Sequence, residues 1–174
     1  APREVPPTVR HDLAGFPPGT RLLERELFLP AQRSVVFEFF SHAENLGRIT
    51  PPDLEFEITT PGPIRMEVGA LIDYRIRLHG VPMRWKTRIL EWAPPHRFVD
   101  LQLHGPYRFW LHEHEFRETP TGTAVTDRVW YRLPALGPGR RAGAARPSDR
   151  LCRFHRTFHR SAPALRNVSR RSGD

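Results

Sequence analysis

Four residues at alternate positions, Trp110, His112, His114 and Phe116, set two imidazoles between two aromatic rings within the stretch Tyr107-Arg108-Phe109-Trp110-Leu111-His112-Glu113-His114-Glu115-Phe116. That stretch contains no turn former, so it reads as one strand, and a period of two puts all four side chains on one face of a sheet. Imidazole titrates near neutral pH, both donates and accepts hydrogen bonds, and ligates metals. The pair is therefore suited to anchoring a polar group of a ligand, to moving a proton, or to holding a metal ion.

What stands beside the two histidines depends on register, and a slip of one residue would turn every side chain to the opposite face. A turn at Thr119-Pro120-Thr121-Gly122 sets His114 opposite Asp127, His112 opposite Val129 and Trp110 opposite Tyr131. A turn at Gly105-Pro106 sets His112 opposite Asp100 and Trp110 opposite Gln102. Each imidazole then has a carboxylate neighbour, which fixes its tautomer and raises its pKa, as a general acid or base requires. His112, His114, Asp100 and Asp127 are the catalytic candidates. With Gln102, the same groups could instead satisfy one another as a buried network, or bind a ligand without turnover. A metal is not expected, because His-x-His supplies two donors and neither a third spaced histidine nor a Glu-rich helix accompanies it.

No GxSxG, HExxH, P-loop or GxGxxG motif occurs, so nucleophilic and nucleotide-dependent catalysis are not expected, nor is any cofactor. The one cysteine, Cys152, excludes a disulfide framework and fits a reducing compartment. No run of eighteen apolar residues exists, and the first residues lack the layout of a signal peptide, which predicts a soluble, cytoplasmic protein. The other histidines fall in expected loops or exposed faces and receive no role.

The elements that must position these residues follow from turn formers and periodicity. Residues 1–20 hold five prolines and read as an extended arm, and residues 21–170 as a single domain. Arg21 to Leu29 is a first strand. Val35, Val36, Phe39 and Phe40 have helical spacing, and Ala43 to Arg48 can add a short second helix before Thr50-Pro51-Pro52. Phe56 to Ile58 is a brief strand. Ile72, Tyr74, Ile76 and Leu78, then Met83, Trp85, Thr87 and Ile89, alternate with polar residues as two strands of a hairpin, and Pro94-Pro95 ends the second. Phe98 to Leu103, the histidine strand and Thr123 to Leu133 complete an antiparallel meander. Beyond it, Leu151, Phe154, Phe158, Leu165 and Val168 mark one face of a C-terminal helix, interrupted by Pro163.

The net charge of +8 is unevenly distributed, because residues 132–174 carry eleven arginines against Asp149 and Asp174. Such a tail is either a solvated basic helix or a patch for RNA, ribosomes or anionic lipid, with Arg150, Arg153, Arg156 and Arg160 as the contacts.

The ordered segments Phe37-Glu38-Phe39-Phe40-Ser41-His42-Ala43-Glu44-Asn45-Leu46, Ile49-Thr50-Pro51-Pro52, Trp85-Lys86-Thr87-Arg88-Ile89, Phe98-Val99-Asp100, Gly105-Pro106-Tyr107 and Trp110 to Phe116 resemble the bacterial branch of the START-like (SRPBCC) superfamily, its polyketide cyclase/dehydrase and lipid-transport group. The resemblance implies an α+β helix-grip fold: a curved antiparallel sheet of about seven strands around a long C-terminal helix, with two short helices after the first strand. It also implies a buried apolar ligand more securely than any reaction. The chain departs from that pattern at Arg140-Arg141-Ala142-Gly143-Ala144-Ala145-Arg146-Pro147, where a shortened or unusual helix is implied, with a surface that could serve a homodimer.

The expected ligand-binding set is Tyr74, Trp85, Gln102, Trp110, His112, His114, Phe116, Tyr131, Phe154 and Phe158, aromatic faces with a few convergent polar groups. Three functions stay open: a carrier of a small hydrophobic molecule (lipid, isoprenoid or polyketide-like), a polyketide cyclase or dehydratase using His112 and His114, and a ribosome- or RNA-interacting module.

Overall fold

The structure, a computed structural model, describes residues 15–50, 55–78 and 81–133. The expected C-terminal helix, with Cys152, Phe154, Phe158 and the arginine cluster, lies outside the described residues, as do most of the N-terminal arm and the dimer surface expected near Arg140.

Seven strands form one antiparallel sheet: β1 (Arg21–Leu29), β2 (Glu57–Ile58), β3 (Leu71–Leu78), β4 (Val81–Ala93), β5 (Arg97–His104), β6 (Phe109–Thr119) and β7 (Gly122–Arg132). Their order is β1-β7-β6-β5-β4-β3-β2, so β2 to β7 run as a meander and β1 closes against the last strand. Between β1 and β2 the chain makes α1 (Arg33–Ser41), a 3₁₀ turn (Ala43–Asn45) and α2 (Leu46–Ile49). No described helix is long and apolar enough to cross a membrane.

Helix α1 forms because its apolar residues fall on one face, with Val36, Phe37, Phe39 and Phe40 all buried. It ends where His42 turns extended, and both Ser41 Oγ and His42 Nδ1 donate to the Glu38 carbonyl, which the last turn would otherwise leave bare. The buried face of α1 packs on Phe98, Phe116 and Val125, giving a core of aromatic edges, with Phe37 to Phe116 at 5.2 Å and Phe40 to Phe116 at 5.5 Å. A second cluster joins Ile76, Trp85, Trp110, Val129 and Tyr131, and a third gathers Ala43, Ile72 and Ile89 under α2.

Register in the β6–β7 hairpin follows its turn: His114 pairs with Asp127, His112 with Val129 and Trp110 with Tyr131. Between β5 and β6, His112 pairs with Asp100, but the ladder stops at Leu101 and Leu111, so Gln102 does not reach the expected place opposite Trp110. It pairs with Thr87 of β4 instead, and its Nε2 donates to the Tyr107 carbonyl across the turn. Strand β4 also shifts register between Lys86 and Thr87 and between Ile89 and Glu91. Such bulges bend a strand and re-aim its side chains.

The other face of the sheet is less exposed than alternation alone would suggest. Val99, Leu111 and Trp130 are buried there, and Phe16 stacks on Trp130 at 5.4 Å, so part of the stretch read as an arm packs on the sheet. Beside them Glu113, 1 % exposed, lies between Arg128 (2.7 Å) and Arg97 (3.7 Å). Arg128 also binds Glu24 and Glu115. Burial works against its charge, but the hydrogen bonds to Glu115, Glu113 and Glu24 outweigh this and lift its pKa above the usual arginine range.

Candidate functional site

One cavity opens between α1, α2 and the sheet face that carries the histidines. Its apolar lining includes Phe39, Phe40, Leu46, Phe56, Met66, Ile72, Tyr74, Ile76, Trp85, Ile89, Phe98 and Trp110. Three strands present these side chains by simple alternation: Ile72, Tyr74 and Ile76 from β3, Trp85, Thr87 and Ile89 from β4, and Phe98 and Asp100 from β5. Tyr74 and Trp85, paired across the β3–β4 ladder, have ring centroids 5.9 Å apart, and Trp85 meets Trp110 edge-on at 5.3 Å. Tyr107 closes that aromatic wall from the β5–β6 turn, 4.7 Å from Trp110.

Polar side chains also reach the lining: His42, Asn45, Thr50, Thr87, Asp100, His112 and His114. Three of them serve the helices. His42 donates to Glu38, Asn45 Nδ2 donates to the Phe39 carbonyl at 2.9 Å, and Thr50 Oγ1 donates to the Leu46 carbonyl at 2.6 Å. A hydrogen bond couples Thr87 to the Tyr74 hydroxyl. The polarity of the cavity is thereby concentrated at Asp100, His112 and His114.

There the two imidazoles lie 3.9 Å apart between aromatic neighbours, His114 stacked on Phe98 at 4.3 Å and His112 edge-on to Trp110 at 6.2 Å. His112 sits between two carboxylates, with Nδ1 3.7 Å from Asp100 and Nε2 3.8 Å from Asp127. His114 Nδ1 lies 2.6 Å from Asp127, whose side chain is 1 % exposed. Burial pushes the Asp100 carboxyl up to about 6; the nearby His114 works against that rise and the Asp127 charge adds to it. Burial, then the Asp100 charge, holds the Tyr74 phenol well above its usual range in spite of the Thr87 hydrogen bond, so its hydroxyl is a neutral donor at neutral pH.

Tyr74, Trp85, Trp110, His112, His114 and Asp100, expected from sequence to bind or react, thus meet around one cavity, and Asp127 stands behind the imidazoles. Three expected binding residues do not line it. Phe116 is taken up by the α1 core, Tyr131 packs behind Trp110 in the second cluster, and Gln102 is tied to the β5–β6 turn. Nothing in the local sequence marks His42 or the α1–α2 residues as cavity lining, because only tertiary packing decides which helix face covers the sheet. The period that marked Tyr74 and Trp85 would also have marked Ile72, Ile76, Thr87 and Ile89.

The model of a protein family described as polyketide cyclase/dehydrase and lipid transport matches residues 29–156. No curated protein matches the chain by sequence. Among solved structures, protein CV1439 from Chromobacterium violaceum shares 13% identity at a TM-score of 0.64, over 83% of this chain and 96% of its own. Ginseng major latex-like protein 151 from Panax ginseng shares 15% identity at 0.61, over 84% and 97%. The Zhui aromatase/cyclase from Streptomyces sp. R1128 shares 19% identity at 0.59, over 86% and 90%. At these identities the likeness is one of fold.

Proposed function

We propose, from the premise that this chain belongs to the polyketide cyclase/dehydrase and lipid transport family, that it binds or carries a small hydrophobic molecule, cyclic or isoprenoid-like, in the cavity described above. Tyr74, Trp85 and Trp110 contact the apolar body of the ligand, and His112 and His114 anchor a carbonyl or hydroxyl group. The observation that carries this reading is the clustering of Asp100, His112 and His114 in the lining of a largely apolar, aromatic cavity. An apolar ligand gains there by leaving water, and its single oxygen is oriented by groups that would cost free energy if left dry. In the sequence-based reading Phe154 and Phe158 add the remaining wall. Native mass spectrometry of protein purified from its own source tests the proposal: a co-purifying small molecule is expected. Repeated absence of one, with no binding of added sterol, isoprenoid or polyketide-like ligands, would overturn it.

A second reading, a polyketide cyclase or dehydratase, is favoured by the Asp100 carboxyl, raised to about 6 and placed 3.7 Å from His112 at the cavity. An imidazole of the histidine pair, with Asp100 beside His112, takes a proton next to a carbonyl while a neutral donor such as the Tyr74 hydroxyl steadies the enolate. Turnover of a poly-β-ketone substrate should then vanish in both His112→Ala and His114→Ala while the circular dichroism spectrum is unchanged. Undiminished turnover in either variant counts against chemistry on this strand.

A further inference from the structure

We propose that Asp100, His112 and His114 bind a first-row divalent transition-metal cation, of the zinc, cobalt or nickel kind, where they cluster in the cavity lining. One donor atom from each lies within 4.8 Å of the others. The histidine strand alone supplies two donors, which is why its sequence argued against a metal; pairing with β5 brings in the third, because Asp100 stands directly opposite His112.

Coordination requires the three donors, now within 4.8 Å of one another, to draw together by up to about 1 Å. Metal bonds of about 2.0–2.2 Å at tetrahedral angles separate neighbouring donors by roughly 3.3–3.6 Å, and His112 Nδ1 is 3.7 Å from Asp100 Oδ2. Two imidazoles and one carboxylate form a nitrogen-rich set that suits first-row transition metals, whereas calcium and magnesium prefer oxygen ligands throughout.

Asp127 belongs to the same design without being one of the three donors. Its Oδ1 is 2.6 Å from His114 Nδ1 and 3.8 Å from His112 Nε2. At 2.6 Å the Asp127 charge favours hydrogen on His114 Nδ1, which leaves the Nε2 lone pair for the metal. An outer carboxylate that orients metal-binding imidazoles in this manner is a recurrent device. Asp100 and Asp127 together also match the two positive charges of the ion. Because all three donors sit on paired strands, little conformational freedom is lost on binding.

The test uses the full chain, stripped with EDTA and titrated with Co²⁺ by visible absorption and with Zn²⁺ by calorimetry. One equivalent should bind, with affinity at least tenfold weaker in Asp100→Asn and His112→Gln and unchanged in His104→Gln, an exposed histidine away from the cavity. Asp127→Asn keeps all three donors and should weaken binding by about 10- to 100-fold. Absence of binding, or equal binding in every variant, would overturn the proposal. Should a variant fail to fold, the imidazole ¹⁵N spectrum of the unaltered protein decides: Zn²⁺ must shift His112 and His114, and shifts confined to other histidines contradict the site. An apolar probe titrated into the metal-free protein by tryptophan fluorescence reads the ligand-binding proposal separately, so either idea can fail alone.

Discussion

Asp100 is a carboxylate that the fold has drawn out of water, and its raised pKa gives it a definite signature in stability. In the folded state it titrates at about 6 against an ordinary 3.8. Between those values the native protein binds more protons than the unfolded chain, so the Asp100 contribution is fully present below pH 4 and is lost as pH rises through about 6. A shift of this size corresponds to about 3 kcal/mol. Denaturant titrations of Asp100→Asn and the unaltered protein at pH 4 and pH 8 should show the variant gaining up to about 3 kcal/mol relative to the parent at the higher pH. An unchanged difference would mean that Asp100 titrates normally. The pairing of His112 and His114 with their carboxylates was legible in the sequence because two compact turns set the register of β6 against both neighbours. The place of Gln102 was not, because the β5–β6 ladder ends before it and a backbone carbonyl of the turn captures its amide.

At the scale of elements, β6 divides its duties between its two faces. On the cavity side Phe116, 2 % exposed, is the aromatic residue on which α1 rests. Phe116→Ala should cost about 3–5 kcal/mol in a denaturant titration, while leaving metal titration of the surviving folded protein intact. On the opposite side Glu113 is wedged between Arg97 and Arg128. Its loss leaves Arg97 with Glu91 and Arg128 with Glu24 and Glu115, so Glu113→Ala should lose about 1–3 kcal/mol; a near-neutral result would show that the remaining carboxylates satisfy both guanidinium groups. The β6–β7 hairpin adds a steric constraint, since a Cβ at Gly122 would lie 2.2 Å from the Leu29 carbonyl oxygen. Gly122→Ala should therefore push β1 away and lower stability by about 1–3 kcal/mol in the same assay. None of these duties showed in the periodic pattern. Alternation tells which residues share a face, but whether a second layer covers that face is decided by packing, as Phe16 and α1 demonstrate.

For the whole molecule, strand boundaries and the meander were readable because prolines and glycines punctuate the chain, as at Pro94-Pro95 and Gly122. The helical stripe of α1 was legible too, except that Phe37 joins its buried face and Val35 stays half-buried. The cavity itself emerges only when α1 and α2 fold back over β3 to β6, and no local signal in the sequence marks that closure. What results is an aromatic chamber in which Asp100, His112 and His114 cluster, and in the function proposed above the histidines read an oxygen on an apolar ligand. The most direct measurement is a calorimetric titration of the full chain with a matched pair, a polycyclic ketone and the hydrocarbon of the same skeleton. A hydrogen bond from the histidines should favour the ketone by about tenfold, and His112→Ala should erase most of that preference while the hydrocarbon binds as before. Equal affinities for the pair, or a preference that survives the substitution, would contradict the account.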